Sequence, residues 1–595
     1  MKPWSISTTV RNPERIRNFL VVLKDLEGNV WDTDTQRQFQ VLLLKNRLYG
    51  VYEPQFYVGL THQDIDLLES DMDISYQQAE AILERKNYVG GIEMRGRQSI
   101  NPLKKMGFVY EDGKKLKFTE FGNLFLDPNY DLGDIFFRSF IKWQLPNPTA
   151  SDFSRGYNIK PFIATLHLID QVNTLCHKQN QKAKGITKLE FQLFCLTLFD
   201  YTQIEAQAKK LLLFRKGYDA SRDKEVFVQQ YIADNLKNIS GVNNLADYAD
   251  NAIRYFRLTR YVCLRGGGYY VDLEPRRQVE IENLLRVDNA SPVQFDSPTA
   301  YYAYMDDPDQ PELPWENLAE NRKIATLILS DIEAYCKELH TSVNIPDQAA
   351  IAALGYNQLK NLISQLRVTR SNLQRQLEHD KAQSIEEATN CRNALTAIRT
   401  SRNKNKKSVE LEHLCTIALN ALDDAIEIRP NYPVGDDNEP TFTAPANRPD
   451  IECYYSNFNV ICEVTMLSDR QQWFNEGQPV MRHLYDFEQA HSDKRNYCLF
   501  IAPSLHRDTA NVYWGYRKIG YEGTHQNIVP LTIDQFVGLI DTLILLKKRG
   551  NKLSCRDIVS LYDTIVDSAD KSPDATAWVA SIAGILTTWK QQLLS

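Results

Sequence analysis

Two carboxylates stand where a carboxylate is costly. Asp450 follows Pro449 at the end of Asn447-Arg448-Pro449-Asp450, and Glu463 closes the largely apolar run Phe458-Asn459-Val460-Ile461-Cys462 just before Val464-Thr465. An acid at the end of a buried strand gives up hydration that must be replaced, and a divalent cation with a preference for oxygen is the obvious replacement. A cation held by two such acids activates a water and polarises a phosphoryl oxygen, the chemistry of metal-assisted hydrolysis.

Positioning the pair calls for strands, and the pattern around them supplies these. Residues 451–455 and 458–464 read as an antiparallel pair. A helix over 408–425 precedes them, a helix over 478–490 follows, and 497–502 is a short apolar run suited to a strand covered on both faces. Thr532-Ile533-Asp534-Gln535 is a capping box opening an amphipathic helix that ends at Gly550, and two more helices close the chain. The order is that of a small α/β core.

Upstream, residues 76–85 and 99–106 have helical spacing. They lead into Gly107-Phe108-Val109-Tyr110, a turn at Glu111-Asp112-Gly113, and the basic strand Lys114-Lys115-Leu116-Lys117-Phe118-Thr119. Helices followed by a hairpin with a basic strand outline a winged helix. The outline recurs where the basic, aromatic helix 251–260 precedes Tyr261-Val262-Cys263-Leu264, a Gly266-Gly267-Gly268 turn and Tyr269-Tyr270-Val271. A mixed α+β domain with surface lysines is the plainer account of the same pattern. Between 285 and 316 the chain turns rich in Pro, Asp and Ser, a boundary, and 316–339, 347–366 and 371–400 then read as helices of a spacer. The basic run 399–407 is either a solvated loop or a segment that follows a phosphate backbone. The expectation is a multidomain α+β and α/β protein divided at 1–284, 285–405 and 406–595.

A formal net charge of −7 excludes a uniformly basic coat but leaves room for a local basic face. The 10 cysteines include no CxxC pair, which argues against a zinc knuckle and for reduced core thiols of a cytosolic protein. Met1-Lys2-Pro3-Trp4 opens no signal peptide, and no apolar run is long enough to span a bilayer. The expectation is a cytoplasmic protein with no membrane partner.

The acidic pair resembles the PD…(D/E)xK signature of metal-dependent nucleases, with Thr465 where the lysine is expected. The chain as a whole resembles the AlwI-type family of type IIS restriction and nicking endonucleases. Trp4-Ser5-Ile6-Ser7 with Arg11-Asn12-Pro13-Glu14-Arg15-Ile16 is similar to the family's opening. Met106-Gly107-Phe108-Val109, Thr119-Glu120-Phe121-Gly122, Lys142-Trp143-Gln144-Leu145-Pro146, Phe194-Cys195-Leu196-Thr197 and Arg254-Tyr255-Phe256-Arg257 are similar to its recognition region. Asn447-Arg448-Pro449-Asp450, Glu463-Val464-Thr465, Pro479-Val480-Met481-Arg482-His483 and Cys498-Leu499-Phe500-Ile501-Ala502-Pro503 are similar to its cleavage region.

The resemblance implies an N-terminal DNA-recognition domain, for which the residue pattern suggests a winged-helix type, a helical linker and a C-terminal PD-(D/E)xK-like nuclease domain. Such an enzyme binds a short asymmetric duplex site and cuts a few base pairs outside it, as part of restriction-modification in a prokaryotic cytoplasm. Its acidic site carries over to Glu412, Asp450, Glu463 and Glu476, with His483 as an accessory residue, and Thr465 matches the family's own variant. Asp450, Glu463 and Glu476 would hold Mg²⁺, with two-metal occupancy open. Without the motif lysine, the attacking water is deprotonated by the metal, by a carboxylate or by bulk solvent. Arg95, Arg97, Lys104, Lys105, Arg254, Arg257 and Arg260 are the candidates for phosphate or base contacts on double-stranded DNA. One nuclease site cuts one strand, so double-strand cleavage calls for a second copy or a small catalytic subunit, and a chain that stays unpaired nicks. The rival reading is a winged-helix regulator or specificity subunit with an inert nuclease-like domain; it predicts lost carboxylates, whereas Asp450, Glu463 and Glu476 are all present.

Overall fold

The structure, a computed structural model, describes residues 1–595 apart from 7–12, 14, 51–55, 70–72, 128–130, 149–155, 266–268, 400–406, 423–424, 442, 445–447 and 469. Ser7, most of the 11–14 string, the triple-glycine turn, Asn447 and the centre of the basic run 399–407 therefore lie outside the described residues. The described chain forms two compact units. The first comprises Met1–Leu329, Ile345–Leu366 and Gly435–Asp437; the second comprises Ser330–Asn344, Arg367–Val434 and Asn438–Ser595.

Within the first unit, Tyr76–Arg85 is a helix opened by a capping box between Ser75 and Gln78. The helix expected over 99–106 starts earlier, as Gly91–Lys105, because Ile92 and Gly96 extend the buried stripe of Ser99, Ile100 and Leu103 backwards at helical spacing. It crosses the Thr33–Lys45 helix backbone to backbone. A Cβ at Gly96 would come within 2.0 Å of Gln36 O, so only glycine fits there. Strands β1 (Val109–Asp112) and β2 (Lys115–Phe118) form the expected hairpin. Its turn is Gly113-Lys114, both at positive φ (54° and 71°), a geometry that matches the strand twist.

The second hairpin belongs to a three-stranded sheet in the order β3-β5-β4, from β3 (Ile186–Thr187), β4 (Val262–Arg265) and β5 (Tyr270–Leu273), with the Leu245–Leu258 helix leading in. Aromatic side chains fill the core: Trp4 Nε1 donates to Cys195 O at 2.8 Å while its ring meets Trp143 and Phe191 edge-on.

The expected spacer is helical, with different breaks. Leu318–Glu338, Gln348–Ala353, Tyr356–Ala382 and Ile385–Arg399 are the helices. Gly355 interrupts the second expected helix, and at 383–384 the chain restarts with Ser384 Oγ accepting Glu387 N–H at 3.1 Å. Residues 367–370, read as a break, continue the Tyr356–Ala382 helix, their polar and β-branched side chains proving no obstacle.

The second unit is built on a five-stranded mixed sheet ordered β10-β9-β8-β7-β6. Its strands are β6 (Glu427–Pro430), β7 (Ile451–Tyr454), β8 (Phe458–Val464), β9 (Arg495–Ala502) and β10 (Ile528–Thr532). β8, β9 and β10 run parallel, while β7 and β6 are antiparallel to their neighbours. Alternation along the strands makes two apolar layers. Ile451, Cys453, Val460, Cys462, Leu499 and Ile501 pack with the Ser408–Leu422 and Ile533–Lys548 helices. Ile461, Cys498 and Phe500 pack on the other face with Val480, Met481 and Leu484 of the Gln478–Ala490 helix and with Tyr513. The capping box at Thr532 and Gln535 is present as read. The arrangement is helices on both faces of a mixed sheet, with the carboxylates at one end of it.

Candidate active site

Register brings the two acids together. β7 pairs Ile451 with Cys462, so one rung further on Asp450 stands opposite Glu463. Ile451 and Cys462 point into one apolar layer, which turns Asp450 and Glu463 to the face of Ile461 and Phe500. Asp450 Oδ2 accepts Val464 N–H at 2.8 Å, so the side chain itself closes the end of the ladder. Glu463 is 4% exposed, and its Oε1 shares a hydrogen bond of 2.8 Å with His483 Nδ1.

Glu476 comes from the helical turn Trp473–Gly477 that precedes the Gln478–Ala490 helix. Tyr513 Oη donates to Glu476 O at 3.1 Å and fixes this turn against the sheet. The Glu476 carboxylate accepts a hydrogen bond from the Thr465 side chain. Thr465, buried where a nuclease lysine is expected, thus brings a neutral hydroxyl to the acid and no positive charge.

Burial governs the electrostatics here, with no positive charge from Thr465 to offset it. Burial, and then the Glu463 charge, push Asp450 well above the ordinary aspartate range. Burial and the Glu476 charge do the same to Glu463. Burial and the Asp450 charge raise Glu476 to about 7, against the hydrogen bond from Thr465. His483 is shifted the other way, since burial and the Arg482 charge hold it in the neutral form. Its Nε2 is buried without a hydrogen-bond partner.

Three acids that raise one another, beside a neutral imidazole with an unused ring nitrogen, form a site short of positive charge. A hard divalent cation fits that deficit and that oxygen donor set. Among the described residues no group of three or more His, Cys, Asp or Glu side chains is arranged to hold a metal ion by itself. Mg²⁺ is usually bound by one or two carboxylates, with waters and phosphate oxygens filling the remaining positions.

Glu412 has a different placement. It is 4% exposed on the Ser408–Leu422 helix, and its Oε2 accepts Ala444 N–H at 2.9 Å, anchoring the segment that leads towards Pro449-Asp450. Its charge is felt with that of Asp450 at the buried Cys415 thiol. Gln472, fully buried and not signalled by any sequence motif, is a second anchor: Nε2 donates to Leu467 O (2.7 Å) and Ser504 O (2.8 Å), and Oε1 accepts His506 N–H (2.8 Å).

The basic candidates of the first unit divide by what they touch. Arg97 is exposed on the Gly91–Lys105 helix. Arg95 lies over the Tyr88 ring, 4.6 Å from its centroid, and Lys104 pairs with Glu111. Lys105 Nζ donates to Ser5 O and Ile6 O at 3.1 and 3.3 Å. Arg254 pairs with Asp250 at 3.1 Å and Arg260 with Asp131 at 2.8 Å, while Arg257 is half-buried on the same helix as Arg254. The Lys142-Trp143-Gln144 string builds the frame. Lys142, fully buried and lowered by burial to about 8, donates to the Tyr304, Met305 and Asp307 carbonyls, and Gln144 bonds Val293 through both its amide atoms.

With this geometry in view, the family model described as AlwI restriction endonuclease matches residues 104–539, most of the chain and all of the acidic cluster. The chain belongs to the AlwI restriction endonuclease family. It is therefore a site-specific deoxyribonuclease that binds DNA. Among solved structures it is similar to the small subunit of the heterodimeric restriction endonuclease R.BspD6I, at 22% identity over 33% of this chain and 97% of that chain, with a TM-score of 0.28. No curated protein matches it. Among the described residues, no helix is long and apolar enough to cross a membrane.

Proposed function

We propose that this restriction endonuclease is of type IIS style, Mg²⁺-dependent, and hydrolyses a phosphodiester bond a few base pairs outside a short asymmetric site. The observation that carries the reading is the cross-strand pair Asp450 and Glu463, with Glu463 buried, Asp450 and Glu476 half-buried beside it, and no lysine among them. Asp450 and Glu463 would hold the cation, which when bound would supply Lewis acidity at the scissile phosphate and a more acidic water. Glu476, poised at about 7, is the group in the cluster able to take a proton near neutrality, and Thr465 aims it. His483 holds Glu463 in place. This is the PD-(D/E)xK arrangement with the cationic position filled by a hydroxyl.

Recognition falls to residues 1–284 in this reading, with residues 285–405 as linker and 406–595 as cleavage domain. Two stretches there share one chain order: a helix (Arg15–Lys24; Pro161–Lys178), a short extended piece, further helices, a last helix, then a hairpin. In both, the extended piece pairs with the second hairpin strand, Val30 with Lys115 and Ile186 with Val271. That is the order of a winged helix, which makes Gly91–Lys105 and Leu245–Leu258 the helices presented to duplex DNA. Arg97, on the exposed side of the first, is the leading DNA contact among the seven basic candidates.

A supercoiled-plasmid assay with Mg²⁺ tests the proposal, with EDTA and an Asp450→Ala control. Metal-dependent product lost in the variant, with specific DNA binding retained, supports it. Linear product of defined size reports pairing with a second copy or a small catalytic subunit, and open circle alone reports a nickase. Cleavage that survives EDTA and Asp450→Ala would refute it.

A further inference from the structure

The row that joins Asp450 to Glu463 continues one strand further. β6 pairs Pro430 with Ile451. The next rung therefore sets Asn431 beside Asp450 on the same face, just as the next rung of β7 and β8 sets Asp450 beside Glu463. Asn431 spends its hydrogen bonds on that neighbour. Its N–H donates to Asp450 O at 2.9 Å, and its Nδ2 donates to Pro449 O at 2.9 Å and to Glu452 Oε1 at 3.1 Å. The other Glu452 oxygen accepts the Tyr454 hydroxyl at 2.6 Å, so this acceptor is itself held.

These bonds grip both carbonyls that flank the Asp450 backbone. Asp450 stands between a proline, which has no N–H to offer, and the first residue of β7. Its carboxylate must at once accept Val464 N–H and reach a cation shared with Glu463. We propose that Asn431 is a positioning residue for metal binding. It locks the Pro449-Asp450 turn so that the Asp450 carboxylate meets the cation beside Glu463; the inference rests on the reading of those two acids as the metal pair. The chemistry requires an amide. Two N–H groups face two acceptors here, so an aspartate would set acceptor against acceptor and an alanine would release both. Groups that orient metal ligands are worth about 10–100-fold in metal affinity.

The test uses the full-length protein and two readouts. One is the rise in thermal midpoint on titrating Mg²⁺ or Ca²⁺ without DNA; the other is the Mg²⁺ concentration that half-saturates plasmid cleavage. Asn431→Ala is expected to raise both half-saturating concentrations by about 10-fold or more, with specific DNA binding in EDTA unchanged. Asn431→Asp is expected to be worse than alanine, and adding Glu452→Gln to it, which returns a donor to the pair, should recover part of the loss. Saturation of Asn431→Ala at the wild-type Mg²⁺ concentration, with any change confined to the thermal midpoint in EDTA, overturns the proposal. Should that variant fail to fold, Asn431→Ser reads the same quantity. Mg²⁺ binding that survives Asp450→Ala would instead remove the metal-pair reading, and this inference with it.

Discussion

Glu190 in the first unit and Glu463 in the second are almost equally buried, 2% and 4% exposed, and are treated in opposite ways. Glu190 receives Arg215 through Nε and Nη2 at 2.7 and 2.8 Å and also accepts Thr187 N–H. Glu463 has a neutral histidine and two more acids. The first unit repeats its pattern elsewhere: buried Arg277 is met by Asp436 and Glu280, and buried Lys160 by Asp288. At these pairs the charge is neutralised in place, since an unpaired buried ion costs several kcal/mol. The three carboxylates Asp450, Glu463 and Glu476 of the second unit are left short of positive charge, a gap suited to a cation and a phosphodiester.

Glu190 and Glu463 should respond in opposite ways to loss of the acid. Glu463→Gln is expected to lower plasmid cleavage on the order of 10³-fold by loosening the cation, while the metal-free protein unfolds at no lower temperature. Removing the acid at Glu190 does the reverse. Glu190→Ala strands Arg215 and should cost about 3–5 kcal/mol by urea unfolding, and the cation requirement of cleavage should not move. A Glu190 variant as stable as wild type would end the contrast.

The acid cluster of the second unit also makes stability depend on pH. The folded value of Glu476, about 7, lies above its ordinary 4.5, so the folded state binds the extra proton between these limits. Metal-free stability should accordingly be fully present below about pH 4.5 and fall as pH rises towards 7. The fall is on the order of 2–3 kcal/mol, and the raised Asp450 and Glu463 act in the same direction. Urea titrations in EDTA at pH 5 and pH 7.5 measure it, and Glu476→Gln should lessen the difference. A metal-free protein that gains stability over this interval would contradict the assigned shifts.

The smallest effect belongs to the first unit's exposed charge. Arg97→Ala should reduce the slope of log affinity against log salt by about 1 if it meets a phosphate. Arg254→Ala, already paired with Asp250, should change it less; equal changes would erase the distinction between the two helices.

Much of this fold is written locally. Hairpin 109–118, helices 76–85 and 478–490, strand 458–464 and the Thr532 cap were all readable because turn residues, caps and apolar spacing act over a few residues. β6 was not, since Glu427-Ile428-Arg429-Pro430 is short, half-exposed and ends in proline, an edge strand with no apolar alternation to betray it. Asn431 was missed with it. Asp450 and Glu463 announced themselves by position, and Glu412 and Glu476 came only by resemblance. That Glu412 would accept a backbone N–H from Ala444, 32 residues on, depends on tertiary approach. The same holds for the basic candidates, because Lys104-Glu111 and Arg260-Asp131 are partnerships that no window of sequence displays.

The turn between β7 and β8 sets the register of the acid row. Tyr455 stacks on Phe458, centroids 4.2 Å apart, and Lys494 Nζ donates to Tyr455 O, which holds the length of this reversal. A strand alternates sides with every residue, so one amino acid inserted at 456–457 would rotate Asp450 out of the acid row and drive it into the apolar layer behind. The protein would keep its strands and lose its chemistry. In that sense a loop several residues from any carboxylate works as the gauge that sets them, and insertions there should be far scarcer among working enzymes than insertions in loops of equal exposure.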